Sequence, residues 1–209
     1  MRRRSRRPSS RAPRAGCARS SAERWSGPAA SAGPGCPISG SAGRLAVQAA
    51  QARGAGLVVA AARSEASQRR ALADGAEHAV PTGDDLAGRL HRVAPAGFDV
   101  IIDFLWGDAA AAALTTAASG ARLVQVGNQA GPTATIDAGW RNRGVRMIGH
   151  SNFLSSLQER RAAYAELMRL ASEGRLHVDI ESRPLEEAEQ VWMRLAGGSG
   201  ARLVLRPQQ

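Results

Sequence analysis

The chain contains no lysine. That absence excludes Schiff-base chemistry, a Walker-type phosphate lysine and a Tyr-x-x-x-Lys hydride-transfer pair. Cysteine is nearly absent too. Cys17 and Cys36 are the only two, and both precede residue 38. Residues 38–209 therefore carry neither a disulfide framework nor a thiolate site. No apolar run approaches the ~20 residues of a membrane span, so no membrane partner is expected and the cytoplasm is the default location. His78, His91, His150 and His177 are scattered, with no His-x-x-x-His or Cys-x-x-Cys spacing, so no metal site is expected. No Gly-x-Ser-x-Gly elbow occurs, which argues against a hydrolase triad.

A second absence is local. Residues 1–37 contain no Leu, Ile, Val or Phe, and they hold nine Arg against one acid, Glu23. The remaining 19 Arg and 17 acids nearly cancel, so +8 of the formal net charge of +10 belongs to the first 37 residues. Overall basicity is then no argument for nucleic-acid binding, and no nucleic-acid partner is expected. Residues 1–37 cannot bury enough apolar surface to offset the entropy of ordering, so they read as a disordered tail. Three explanations compete. An organelle transit peptide fits the Arg and Ser content, but Pro8, Pro13, Pro28 and Pro34 would interrupt its helix. A nucleic-acid-binding arm fits the clustered Arg, but only Trp25 is there to stack. A frameshift or misassigned start in a GC-rich gene is favoured, because it explains why a hydrophobic strand is missing where the globular pattern begins.

From Ile38 onward the pattern alternates. A helix is expected over residues 43–53, with Leu45, Ala46, Val47, Ala49 and Ala50 on its apolar face. Residues 57–61 form a continuous apolar run of the kind buried on both faces of a sheet. Ser64 N-caps a helix to about Asp74, residues 78–80 make a brief strand, and Asp84 or Asp85 opens a helix to about Val93. Residues 98–103 are the clearest strand. Asp108 opens an alanine-rich helix ending near Gly120, and strands follow at 122–127 and 145–149. Residues 157–173 form a long helix with Tyr164, Leu167, Met168 and Leu170 inward. A helix at 185–195 and a closing strand at 203–205 complete the chain. Strands alternating with helices imply right-handed crossovers and a mostly parallel α/β sheet. Ligands in such sheets sit at the carboxyl ends of the strands, here the loops after Ala61, Asp103 and Val126.

Each of these loops has two readings. Gly40, Ser41, Ala42 and Gly43 before a helix form either a pyrophosphate-binding turn or a linker. Pro37 just before them cannot donate to a strand ladder. Arg63 and Ser64 follow the second strand, where a dinucleotide fold meets the adenosine ribose. With no acid at Ala61 or Ala62, Arg and Ser there suit a 2′-phosphate, unless Arg63 is a solvated residue at a helix start. Asp103 is read as capping its turn rather than as catalytic. The loop from Gly127 through Asn128 and Gln129 to Gly131 either lets a ring-shaped ligand approach the backbone or is simply a turn.

Taken in order, these pieces resemble the nucleotide-binding half of the medium-chain dehydrogenase/reductase family, in its zinc-independent quinone oxidoreductase-like branch. They are the residues from Gly40 to Ala50, Val58 to Ser64, Gly75 to His78, Phe98 to Asp103, Gly120 to Asn128 and Ala201 to Leu205. Beyond the disordered tail at 1–37, the resemblance implies a Rossmann-like, doubly wound domain at 38–209 lacking its first strand. It implies an NADP(H)-dependent oxidoreductase that passes hydride to a small quinone or carbonyl substrate. Gly40, Ser41, Ala42 and Gly43 would hold the pyrophosphate, Arg63 and Ser64 the 2′-phosphate. Phe104 would lie by the adenosine, and Gly127, Asn128 and Gln129 on the nicotinamide side. A homodimer would pair edge strands through Val145, Arg146, Met147 and Ile148. The family's barrel-like half has no counterpart in the sequence, so no catalytic residue is carried over. A stand-alone nucleotide-binding module and an inactive truncated product stay open as alternatives.

Overall fold

A computed structural model of the chain describes residues 35–37, 40–196 and 202–207. The expected disorder of the tail falls almost wholly on residues outside this set. The elements run β1 (Gly35–Pro37), α1 (Gly40–Ala52), β2 (Val59–Ala62), α2 (Glu65–Ala73), β3 (His78–Pro81), α3 (Leu86–Val93), β4 (Phe98–Asp103) and α4 (Gly107–Thr115). They continue with β5 (Ala117–Gln125), α5 (Gly139–Asn142), β6 (Arg146–Gly149), α6 (Leu157–Ser172), β7 (Ile180–Pro184), α7 (Ala188–Ala196) and β8 (Arg202–Arg206).

Six strands form one sheet in the order β3-β2-β1-β4-β5-β6, every pairing parallel. The chain winds outward from β1 through β2 to β3, then returns to the other side of β1. The strand order therefore reverses between β1 and β4, which is where open α/β sheets bind ligands. The expected α/β, Rossmann-like, doubly wound sheet is present. The expectation that its first strand is missing is corrected: that position is occupied by three residues, drawn from the end of the segment read as tail. Gly35, Cys36 and Pro37 pair with Val59, Ala60 and Ala61, whereas the β4 side has a single register pair, Gly35 with Ile101. Pro37 has no N–H to give either neighbour.

Alternation along the strands builds two cores. Val59, Ala61, Ile101 and Leu123 point to one face, where Leu86 and Leu90 of α3 and Ala113 and Leu114 of α4 cover them. Val58, Ala60, Ala62 and Ile102 point to the other, beneath Val47 and Ala50 of α1 and Ala71 of α2. Every residue of β2 is buried, as its unbroken apolar run requires.

Three further expectations are corrected. The alanine-rich helix stops at Thr115. The hydroxyls of Thr115 and Thr116 donate to the carbonyls of Ala112 and Ala113, and Phe98 N–H takes the Thr116 carbonyl, so residues 117–121 already belong to β5. In α6 only Leu170 is buried; Tyr164 is 66% exposed, and Leu167 and Met168 are exposed as well. No described element packs over that face of the helix at helical spacing, so its amphipathic pattern has no cover. Finally, β8 does not close the main sheet. It pairs in parallel with β7, a strand the sequence pattern did not reveal, in a separate two-stranded sheet.

Leu123 is fully buried at the centre of β5. Leu123→Ala is expected to lower unfolding stability by about 2–5 kcal/mol, measured by denaturant titration; a loss under about 1 kcal/mol would contradict its place in the core.

Candidate coenzyme site

All ten residues singled out from the sequence stand at the carboxyl edge of the main sheet. Gly40, Ser41, Ala42 and Gly43 are not a loop ahead of the helix. They are its first four residues, α1 starting three positions earlier than the pattern suggests. The N–H groups that open a helix carry its positive end. This turn follows β1 at the point where the strand order reverses.

One strand away, β2 ends at Ala62 and delivers Arg63 and Ser64, both exposed. Ser64 is extended (φ −104°, ψ 148°), and its Oγ accepts the Ser67 N–H at 3.2 Å, capping α2 as expected. Arg63 makes no ion pair among the described residues, and Ala61 and Ala62 before it are buried.

On the other side of β1, the loops after β4 and β5 are stitched together. Val126 N–H donates to the Asp103 carbonyl at 2.7 Å, Gln129 N–H to that of Phe104 at 3.3 Å, and Ala130 N–H to that of Leu105 at 2.8 Å. At Gly127 the structure adds a further reason for glycine. A Cβ at this position would lie 2.6 Å from the Phe104 carbonyl oxygen, so glycine serves the approach of one loop to the next. Phe104 itself packs against the core beneath α1 and α2, while Asn128 and Gln129 are exposed. Phe104 and the Gly127 loop thus come together; Arg63 and Ser64 stay across β1 from them.

Asp103 is structural, as expected. Its fully buried carboxylate accepts N–H groups from Leu105 at 3.0 Å and from Trp106 at 3.0 and 3.1 Å. Burial pushes its pKa up from the usual carboxylate value, and the two backbone N–H groups pull it back. This ties down a turn in which Trp106 and Gly107 both have positive φ, 60° and 62°.

The sequence reading missed a polar cluster at α1. Arg44 and Gln48, one turn apart, are buried alongside Asp74, the C-cap residue of α2. Arg44 grips Asp74 through Nε at 2.5 Å and Nη2 at 2.8 Å, and its Nη1 reaches Asp179 at 2.5 Å. Gln48 donates to Asp74 at 3.0 Å and accepts the His177 N–H at 2.7 Å. Its legible trace was a polar stripe, Arg44, Gln48 and Gln51, at helical spacing on a helix whose apolar face is mostly alanine. An open cleft of roughly 370 Å³, lined by Gln48, Gln51, Ala52, Asp74, Gly75 and Arg175, lies beside this cluster. It sits toward the opposite end of α1 from Gly40, where Gln51 donates to the Gly75 carbonyl and to Glu77.

Residues 42–173, more than half the chain, match the family model described as zinc-binding dehydrogenase. No curated protein matches the sequence. Among solved structures, AibC is 28% identical with a TM-score of 0.73, over 86% of this chain and 51% of that one. A quinone oxidoreductase of Pseudomonas syringae pv. Tomato DC3000 is 24% identical with a TM-score of 0.68, over 84% and 57%. CurA of Vibrio vulnificus, solved in complex with NADPH, is 18% identical with a TM-score of 0.70, over 86% and 58%. The last two likenesses speak for the fold alone. The chain spans about half the length of the solved structures it matches. Among the described residues no three His, Cys, Asp or Glu side chains come together in a way that could hold a metal ion.

Gly127→Ala is expected to cost about 1–3 kcal/mol of stability, because the Phe104 backbone must give way. Gly149→Ala, where the added Cβ meets nothing within 4 Å, should stay within about 0.5 kcal/mol. Equal denaturation midpoints for the two variants would contradict the close approach of the loops.

Proposed function

The chain belongs to the zinc-binding dehydrogenase family, and from that premise we propose that it is the NADPH-binding half of an oxidoreductase acting on a small quinone or enone. The observation that carries the coenzyme choice is the end of β2. Arg63 stands exposed and unpaired among the described residues, after two alanines where an acid would accept a ribose diol.

In this reading the first-turn N–H groups of α1, from Gly40 to Gly43, receive the pyrophosphate with the helix's positive end behind them. Arg63 and Ser64 take the 2′-phosphate. Phe104 flanks the adenosine. Gly127, Asn128 and Gln129 border the nicotinamide, their position fixed by the bonds to the Phe104 turn. When bound, NADPH supplies the hydride; the chain's own residues bind and orient it. No side chain is assigned to proton transfer, because the walls that would position a substrate and exclude water belong to the half of the relatives not matched here. A homodimer through Val145, Arg146, Met147 and Ile148 is supported by the place of β6 at the edge of the main sheet.

A second reading, a nucleotide-binding module completed by a separate substrate domain, is favoured by one observation. Among the described residues the large exposed apolar side chains concentrate beyond residue 150, Phe153, Leu154, Tyr164 and Trp192 with them, and only Leu72 and Val126 come before it. Capture of a barrel-like partner would support that reading over the first.

Arg63→Ala is expected to weaken NADPH binding about tenfold or more, the range of one charge-assisted phosphate contact, and to leave NADH binding unchanged. Isothermal titration with both coenzymes measures this. Equal affinity of the unaltered chain for the two, or no loss in the variant, would count against Arg63.

A further inference from the structure

Helix α1 is weakly anchored by apolar contact. Val47 and Ala50 are its buried apolar side chains over the core, with Ala46 partly buried. Hydrophobic burial is non-directional, and a face made mostly of alanines presents little relief to stop a helix from sliding along its axis. Polar contacts supply the direction. Arg44, immediately after Gly43, binds Asp74 through two N–H groups and Asp179 through a third. One turn on, Gln48 reaches Asp74, the His177 carbonyl at 3.2 Å and the His177 N–H. Two successive turns of α1 are thereby pinned to the end of α2 and to the segment before β7.

The stability of the helix does not account for this arrangement. A cation this near a helix N-terminus opposes the dipole. A buried ion pair also contributes little net stability compared with apolar packing, while it does fix one geometry. The Asp74 carboxylate is fully buried and the Arg44 side chain nearly so, whereas Asp179 is more than half exposed. The guanidinium holds Asp179 below the usual carboxylate range. Arg's planar fork makes the bidentate grip on Asp74 rigid.

We propose that Arg44 is a positioning residue for the coenzyme: held between Asp74 and Asp179, it sets the axial position of α1 and so the aim of its first-turn amides at the pyrophosphate. The inference rests on the coenzyme reading above and assigns to that site a residue that does not touch the ligand. Because the pyrophosphate is common to both coenzymes, loosening the clamp weakens NADPH and NADH alike. Loss of Arg63, by contrast, separates them.

The test is isothermal titration of the full chain and of two variants, Asp179→Asn and Arg44→Met, with NADPH and NADH, alongside their thermal midpoints. Asp179→Asn is expected to weaken both coenzymes by the same factor, about threefold, and Arg44→Met by about tenfold. The sign for Asp179→Asn separates positioning from simple charge. Removing a carboxylate near an anion site tightens binding if only the field matters, and weakens it if the clamp matters. Unchanged or tighter binding by Asp179→Asn would overturn the inference, as would a lowered thermal midpoint with unaltered affinities. If Arg44→Met does not fold, Asp179→Asn alone decides. Failure of the unaltered chain to bind either coenzyme would remove the coenzyme reading, and this inference with it.

Discussion

Three residues hold the six strands in one sheet. Gly35, Cys36 and Pro37 bridge β2 and β4, and without them each neighbour would present an unpaired edge at the centre of the molecule. The bridge is asymmetric, three register pairs on the β2 side against one on the β4 side, and its last residue is a proline. Everything at the carboxyl edge depends on it. β1 delivers the start of α1, keeps Arg63 on one flank and the joined Phe104 and Gly127 loops on the other, and marks the point at which the strand order reverses.

Around that bridge the packing follows the pleat. Consecutive residues of β2 and β4 alternate between two cores, so each small side chain of β2 lets a helix approach closely. Alanine makes this possible at a cost in buried area per residue, and the polar cluster of Arg44, Gln48 and Asp74 supplies the directionality that such a face lacks. The carboxyl edge uses a similar device. Asp103 spends its two oxygens on backbone N–H groups, and the glycine at 127 lets the next loop lie against that turn.

Much of this was legible in the residues. Alternating apolar segments gave the parallel sheet, Ser64 gave its cap, and Asp103 gave its turn, because each rests on local chemistry that a single sequence displays. What was not legible depends on partners distant along the chain. Thr115 and Thr116 end α4 early because β4 claims the Thr116 carbonyl, a contact across 18 residues of sequence. Tyr164, Leu167 and Met168 have helical periodicity without a described partner to cover them, and periodicity reports only that some cover is called for. The pairing of β7 with β8 and the clamp on Arg44 likewise join segments that no local pattern connects.

The central claim is that the carboxyl edge holds a dinucleotide, and a thermal melt of the full chain at rising NADPH concentration tests it most directly. Binding to the folded state alone stabilises it by about 2.7 kcal/mol at a ligand concentration a hundred times the dissociation constant. The account predicts one cooperative transition whose midpoint climbs with NADPH. A transition that stays fixed at every concentration, or the lack of any cooperative transition, would contradict it.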